Sequence, residues 1–245
     1  MKHLFFILLI ITSTCGLATA NQVEVVSEHW PPFIVHQKGL AHQSTHKVTG
    51  QVTRNVREIL HLAELDYSLT IYPWARSFHL ATNKPNVLIY SIFKNEQRAP
   101  KFHWFCPIYP STPIKAYKLA NNDADVHSLE ALKSAVVGVM RGDNSYKYLL
   151  DKGFEEDTHL DVSANEEINL LKLITGKIDV VIQSEQALRY RLKQLNASHL
   201  TIVEGLTLHP IKQTEHCMAL SQGTDEKIID KIDKAFKQWL VAQNS

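Results

Sequence analysis

The chain has 245 residues, with 26 basic side chains against 25 acidic ones and a formal net charge of +1. Charges in balance, with no block of lysine or arginine, exclude a polyanion such as nucleic acid as the partner. Hydrophobic residues make up 44% of the chain, enough for one large core or for two lobes.

The first twenty residues read as a leader. Lys2 and His3 make a short polar start, residues 4–11 are an unbroken apolar run, and Ala18-Thr19-Ala20 is a small-residue cleavage site. That is the three-part pattern of a secretory signal peptide, and the apolar run falls well short of the roughly 20 residues of a membrane span. Cys15 follows Thr12, Ser13 and Thr14, which is not the approach to a lipid-modified cysteine. Cleavage before Asn21 and export are expected, with no membrane insertion afterwards. Cys106 and Cys217 then remain, and their separation leaves a disulfide and two buried free thiols equally open. No close cysteine spacing suggests a metal site.

Residues 21–27 alternate and are β-branched, as a first strand should be, and run into Glu28-His29-Trp30-Pro31-Pro32-Phe33, where two prolines end regular structure. An aromatic fixed there can line a cleft or plug a core. Residues 36–49 form a polar, histidine-rich loop. A helical period covers 50–65, with Val52, Val56, Ile59, Leu60 and Ala63 on one face. Residues 67–72 are a second strand, followed by Pro73-Trp74-Ala75-Arg76 and a short helix over 75–81. The apolar run 87–92 reads as a buried parallel strand with Arg98 just past its carboxyl end. Ligands of open α/β sheets sit beyond such ends, and a guanidinium offers a planar fork to a carboxylate or phosphate.

A second block repeats the alternation. Strands are expected at 114–119, 136–140, 159–162, 178–182 and 200–203, and helices at 126–133, 146–152, 166–174 and 185–195. A last strand at 215–220 precedes an amphipathic helix over 225–240. This alternation marks doubly wound, largely parallel α/β sheets. There is no Gly/Ser linker and no low-complexity tract.

Several motifs in this order carry a resemblance: Trp30-Pro31-Pro32-Phe33 after the first strand, Gly50 opening the first helix, 86–98 followed by 102–107, Val137-Gly138-Val139 with Gly142, Gly176-Lys177-Ile178-Asp179, and the closing helix. Over essentially its whole mature length the chain resembles family 3 of the extracellular solute-binding proteins, periplasmic receptors for amino acids and similar small solutes. The resemblance implies a type II α/β fold of two lobes, each a doubly wound, mostly parallel sheet, joined by two hinge crossings and closing on ligand. Lobe I would be 21–112 with 210–245, and lobe II 113–209. It implies a periplasmic monomer without a cofactor that hands its solute to a membrane permease or receptor.

The resemblance also implies a site. Arg98 falls on the arginine that forks an amino acid's carboxylate, Ser91 lies in the adjoining segment, and Trp30 sits where an aromatic stacks on the ligand. Asn144 and Ser145, with Asp143, occupy the helix start that supplies donors from lobe II. The acidic residue for the ammonium group falls on Ser184, and Arg54 stands where an aspartate is common. Both departures favour an organic anion over a plain α-amino acid. Trp74 and Arg76, after a strand end, are further candidates, Trp74 being somewhat better suited to filling the core.

Rival readings remain. An exported enzyme, such as the cyclohexadienyl dehydratases that share this fold, would need a general acid or base, for which Glu28, His29, His103 and Glu185 are candidates; none sits in a catalytic motif. His36, His42 and His46 share one loop and imidazole binds zinc and copper, yet the histidines are scattered and a cleft arginine disfavours a cation. A ligand sensor for a separate membrane receptor keeps the fold and changes the output.

Overall fold

A computed structural model describes residues 22–37, 48–209 and 214–243. The leader, His42, His46 and the proposed boundary at Pro210 lie outside the described residues. No helix among those described is long and apolar enough to cross a membrane.

The strands form two five-stranded sheets with one topology. The first takes β1 (Val23–Ser27), β4 (Tyr67–Ile71), β5 (Val87–Ile92), β6 (Phe102–Tyr109) and β12 (His216–Ser221), in the order β4-β1-β5-β12-β6. The second takes β7 (Lys115–Leu119), β8 (Val137–Met140), β9 (Leu160–Ser163), β10 (Val180–Gln183) and β11 (Ile202–Thr207), in the order β9-β8-β10-β7-β11. In each sheet one strand, β12 or β7, runs antiparallel to the other four. The chain crosses from the first sheet to the second over residues 110–114 and returns after β11. The crossings bond to each other, Thr112 N donating to Thr214 O at 3.0 Å and Leu208 N to Ile114 O at 2.9 Å.

The apolar pattern explains the layers. Every residue of β5 is buried, as a central strand covered on both faces demands. One face of the first sheet packs on α1 (Gln51–Leu62) and α7 (Glu226–Gln243), which bring Val56, Leu60, Ile232 and Phe236 to one core. The other face packs on α2 (Trp74–Asn83). In the second half, α5 (Glu166–Ile174) and α6 (Glu185–Gln194) close on Val181 and Tyr117. Gly50 starts α1 because nothing else fits: its φ is +112° and a Cβ would lie 2.2 Å from Phe33 O.

Several stretches differ from the sequence pattern. The stretch 102–107, named only as a motif and assigned no strand, is part of an eight-residue edge strand on β12. The helix expected over 126–133 is reduced to α3 (Leu129–Leu132), because Ser128 caps it by accepting from Ala131 N, and Val126 O is taken by Leu206 N at 2.7 Å. The strand expected over 200–203 runs on to Thr207 through a register shift at Gly205, whose missing Cβ admits Val126 O. Two short strands, β2 (Val35–His36) and β3 (Val48–Thr49), pair where only a loop was expected. Cys106 and Cys217, on the neighbouring strands β6 and β12, form a disulfide, so the two-thiol alternative is ruled out.

Candidate functional site

The carboxyl ends of β1, β5, β8, β9 and β10 converge between the two sheets on a small cavity of about 50 Å³. Each end sends a residue into the wall, which is where the topology of open α/β sheets puts a ligand. Glu28 and Trp30 follow β1; Phe93 and Arg98 follow β5. Asp143, Asn144 and Ser145 open α4 (Asn144–Asp151) after β8, Glu166 opens α5 after β9, and Gln183 ends β10. Ile114 enters from the first crossing, and Trp74 from the start of α2.

Arg98 dominates the chemistry. It is 2% exposed, and its Nη1 donates to Phe93 O at 3.2 Å, while Nε and Nη2 are buried with no hydrogen-bond partner among the described residues. The guanidinium lies 5.2 Å from the ring centroids of both Trp74 and Phe78. Burial pulls its pKa down to about 10, opposed by Asp143 and Glu28, so it stays charged at neutral pH. Trp30 Nε1 and Gln183 Oε1, also on lining residues, are likewise buried without partners. Buried polar groups are ordinarily bonded, so this set of two guanidinium donors, an indole donor and an amide acceptor marks a place built for a polar guest.

Three carboxylates share the cavity. Burial pushes Glu28 well above the usual range, reinforced by Glu166 and Asp143 and opposed by Arg191 and Arg98. Burial lifts Asp143 to about 7, against the pull of its bonds from Tyr146 and Ser145 N–H and of Arg98. Glu166 is raised by burial although it pairs with Arg191 at 3.3 Å. With Glu166 matched to Arg191, the groups left facing a guest are one charged guanidinium and the carboxyls of Glu28 and Asp143, which burial biases toward the protonated form.

The sign for Asp143 follows from linkage. Its folded pKa of about 7 exceeds the ordinary 3.8, so its contribution to stability is full below about pH 4 and is lost as pH rises through about 7. Asp143→Asn keeps the cap on Tyr146 N and removes the charge. The melting temperature of Asp143→Asn minus that of the wild type, without added solute, should therefore increase between about pH 4 and pH 7. A difference that stays flat over that range would show that Asp143 is not held in a raised state.

The residues expected from the sequence divide into two groups. Arg98, Trp30, Trp74, Asn144 and Ser145 line the cavity. Ser91 does not: its Oγ is 2.7 Å from His216 Nδ1. Ser184 accepts from Ala187 N as the cap of α6, and Arg76 lies over the Tyr72 ring at 4.2 Å on an exposed side chain. Glu28, Phe93, Glu166 and Gln183 are in the wall although their residue types drew no ligand role. Contacts across the cleft hold its two sides together: Trp74 Nε1 donates to Gly142 O at 3.0 Å, Asn95 Nδ2 to Asn144 Oδ1 at 2.6 Å, and Arg191 Nη2 to His29 O at 3.0 Å.

No family model matches the chain, and no curated protein matches it. Solved structures do. An ancestral arginine-binding protein bound to glutamine superposes with a TM-score of 0.71 at 19% identity, over 89% of this chain and 91% of that one. A histidine kinase sensor domain similar to periplasmic binding proteins gives 0.73 at 16% identity, over 91% and 92%. The arginine-bound Gly52Ala mutant of the arginine-binding protein of T. maritima gives 0.71 at 14%, over 89% and 95%. Likeness over nine-tenths of both chains establishes the two-lobe α/β fold of periplasmic binding proteins.

Proposed function

We propose that this chain, with its two-lobe fold and a cavity at the facing strand ends, is a periplasmic solute-binding protein and not an enzyme. It would capture a small carboxylate-bearing solute and deliver it to a membrane importer. Lobe I is 21–112 with 210–245, lobe II is 113–209, and residues 1–20 are the export signal. The carrying observation is Arg98: a buried guanidinium with two unpartnered N–H groups is the complement of a carboxylate.

The unmatched acids refine the guest. A simple anion engages Arg98 alone, whereas a zwitterion puts its carboxylate on the fork and its ammonium toward Glu28 and Asp143, where it lowers their pKa and pairs with the ionised carboxylates. Serine at position 184 is thus compatible with an amino acid, because the negative charge comes from other strand ends. At about 50 Å³ the cavity is small, which favours a compact molecule.

A thermal-shift panel of glycine, L-alanine, L-serine, L-glutamine, L-arginine, acetate and succinate tests this. A solute at about 100 times its dissociation constant adds ~2.7 kcal/mol, a rise of roughly 5–10 °C for a chain this long. The small zwitterions should shift melting more than acetate or succinate; no shift with any of them counts against the reading. The likeness to a kinase sensor domain favours a second output, sensing. Loss of solute uptake on gene deletion supports import; intact uptake with a lost transcriptional response supports sensing.

A further inference from the structure

Behind the cavity wall lies a buried chain that the ligand reading leaves unused. His216, 0% exposed, opens β12 at the end of the second crossing. Its Nδ1 is 2.7 Å from Ser91 Oγ and its Nε2 is 2.8 Å from Thr112 Oγ1, so the neutral ring donates to one hydroxyl and accepts from the other. Burial holds its pKa down to about 3, which keeps it neutral. Thr112 belongs to the first crossing, where its own N donates to Thr214 O.

Ser91 is held in an unusual place to make this bond. Its φ is +59°, and the register of β12 steps from Ile92 to Tyr90, leaving Ser91 as the extra residue of a bulge. A serine in the left-handed region persists only when its surroundings demand it, and bulges serve to re-aim side chains. The imidazole in turn is packed among Trp30, stacked at 5.0 Å and 16°, Phe33 at 4.9 Å, Tyr109 at 5.3 Å and Phe93 at 5.6 Å. Two of those four rings, Trp30 and Phe93, line the cavity.

We infer that His216 is a positioning residue for solute capture, fixing the Trp30 and Phe93 wall to the interlobe crossing through Thr112 and Ser91. The inference rests on the reading of the cavity as the solute site. It makes the wall and the crossing one unit, so that a hydroxyl outside the cavity sets affinity within it.

The test compares Thr112→Val, which keeps the shape and removes the hydroxyl, with Thr112→Ser, which restores it. Affinity is measured by calorimetry for whichever of glycine, L-alanine, L-serine, L-glutamine or L-arginine shifts wild-type melting most. Thr112→Val should weaken binding by about tenfold, and Thr112→Ser should stay within about twofold of the wild type. If Thr112→Val does not fold, Ser91→Ala removes the other bond and carries the same expectation. A Thr112→Val protein that melts lower yet binds as the wild type does would make the chain purely structural and overturn the inference. The underlying reading fails separately, through Arg98→Ala binding unchanged or no probe binding the wild type.

Discussion

Arg98→Met should lose solute binding by about 2–5 kcal/mol, roughly 30-fold to several thousandfold, with no loss of stability in solute-free protein. The two halves of this expectation have different causes. Binding falls because the solute's carboxylate keeps its desolvation cost and loses the guanidinium fork in the wall. Stability holds because the wild-type guanidinium is itself buried with Nε and Nη2 unpartnered, so it carries a desolvation cost that methionine does not. Against that stand one bond to Phe93 O, the attraction of Asp143 and Glu28, which can take up protons in its place, and the contacts to Trp74 and Phe78, which a thioether partly replaces by packing on the same rings. Arg98→Ala should lose binding equally, with some stability forfeited to the space it leaves. Calorimetry and thermal melting of the three proteins separate the effects. Binding retained with melting lowered would mean that the guanidinium serves the fold instead of a guest.

The second large effect is on stability alone. The disulfide between Cys106 and Cys217 spans a sequence separation of 111 residues. Cross-linking a loop of about 100 residues restricts the unfolded chain by about 4.7 kcal/mol in the loop-entropy account. The double variant Cys106→Ala, Cys217→Ala should therefore melt roughly 10–20 °C lower. Neither cysteine lines the cavity, so affinity for an amino acid well below the new melting temperature should be near that of the wild type. A double variant with unchanged melting would show that the unfolded chain is already restrained by other means.

The order of strands and helices was legible because it rests on local pattern. The buried run in β5, the amphipathic face of α1 and the proline stop after β1 are each set by a few neighbouring residues. Arg98 was legible for a similar reason, being a single charge just past a buried strand. Glu28 and Glu166 carried the same signal, each directly following a strand end or opening the next helix, and could have been found by applying the strand-end rule to every strand. Ser91 and Ser184 show the opposite failure. Both are small polar residues near strand ends, but one is turned by a left-handed backbone toward a histidine 125 residues away and the other caps its helix. The pairing of the two cysteines depends on β12 lying beside β6, which no spacing reveals.

That same placement of β12 sets an order of assembly. The strands of the second sheet are consecutive in the chain, from Lys115 to Thr207, and can pair as soon as that segment has left the ribosome. The first sheet cannot. Its β5 and β6 do not pair with each other; β12 lies between them and is made after every strand of the second sheet. The first sheet thus completes after the second, with β5 open along one edge and β6 without a sheet partner until β12 arrives. In an emerging chain β12 is the keystone of the first sheet, and a chain stopped before residue 216 has one complete five-stranded sheet, the second.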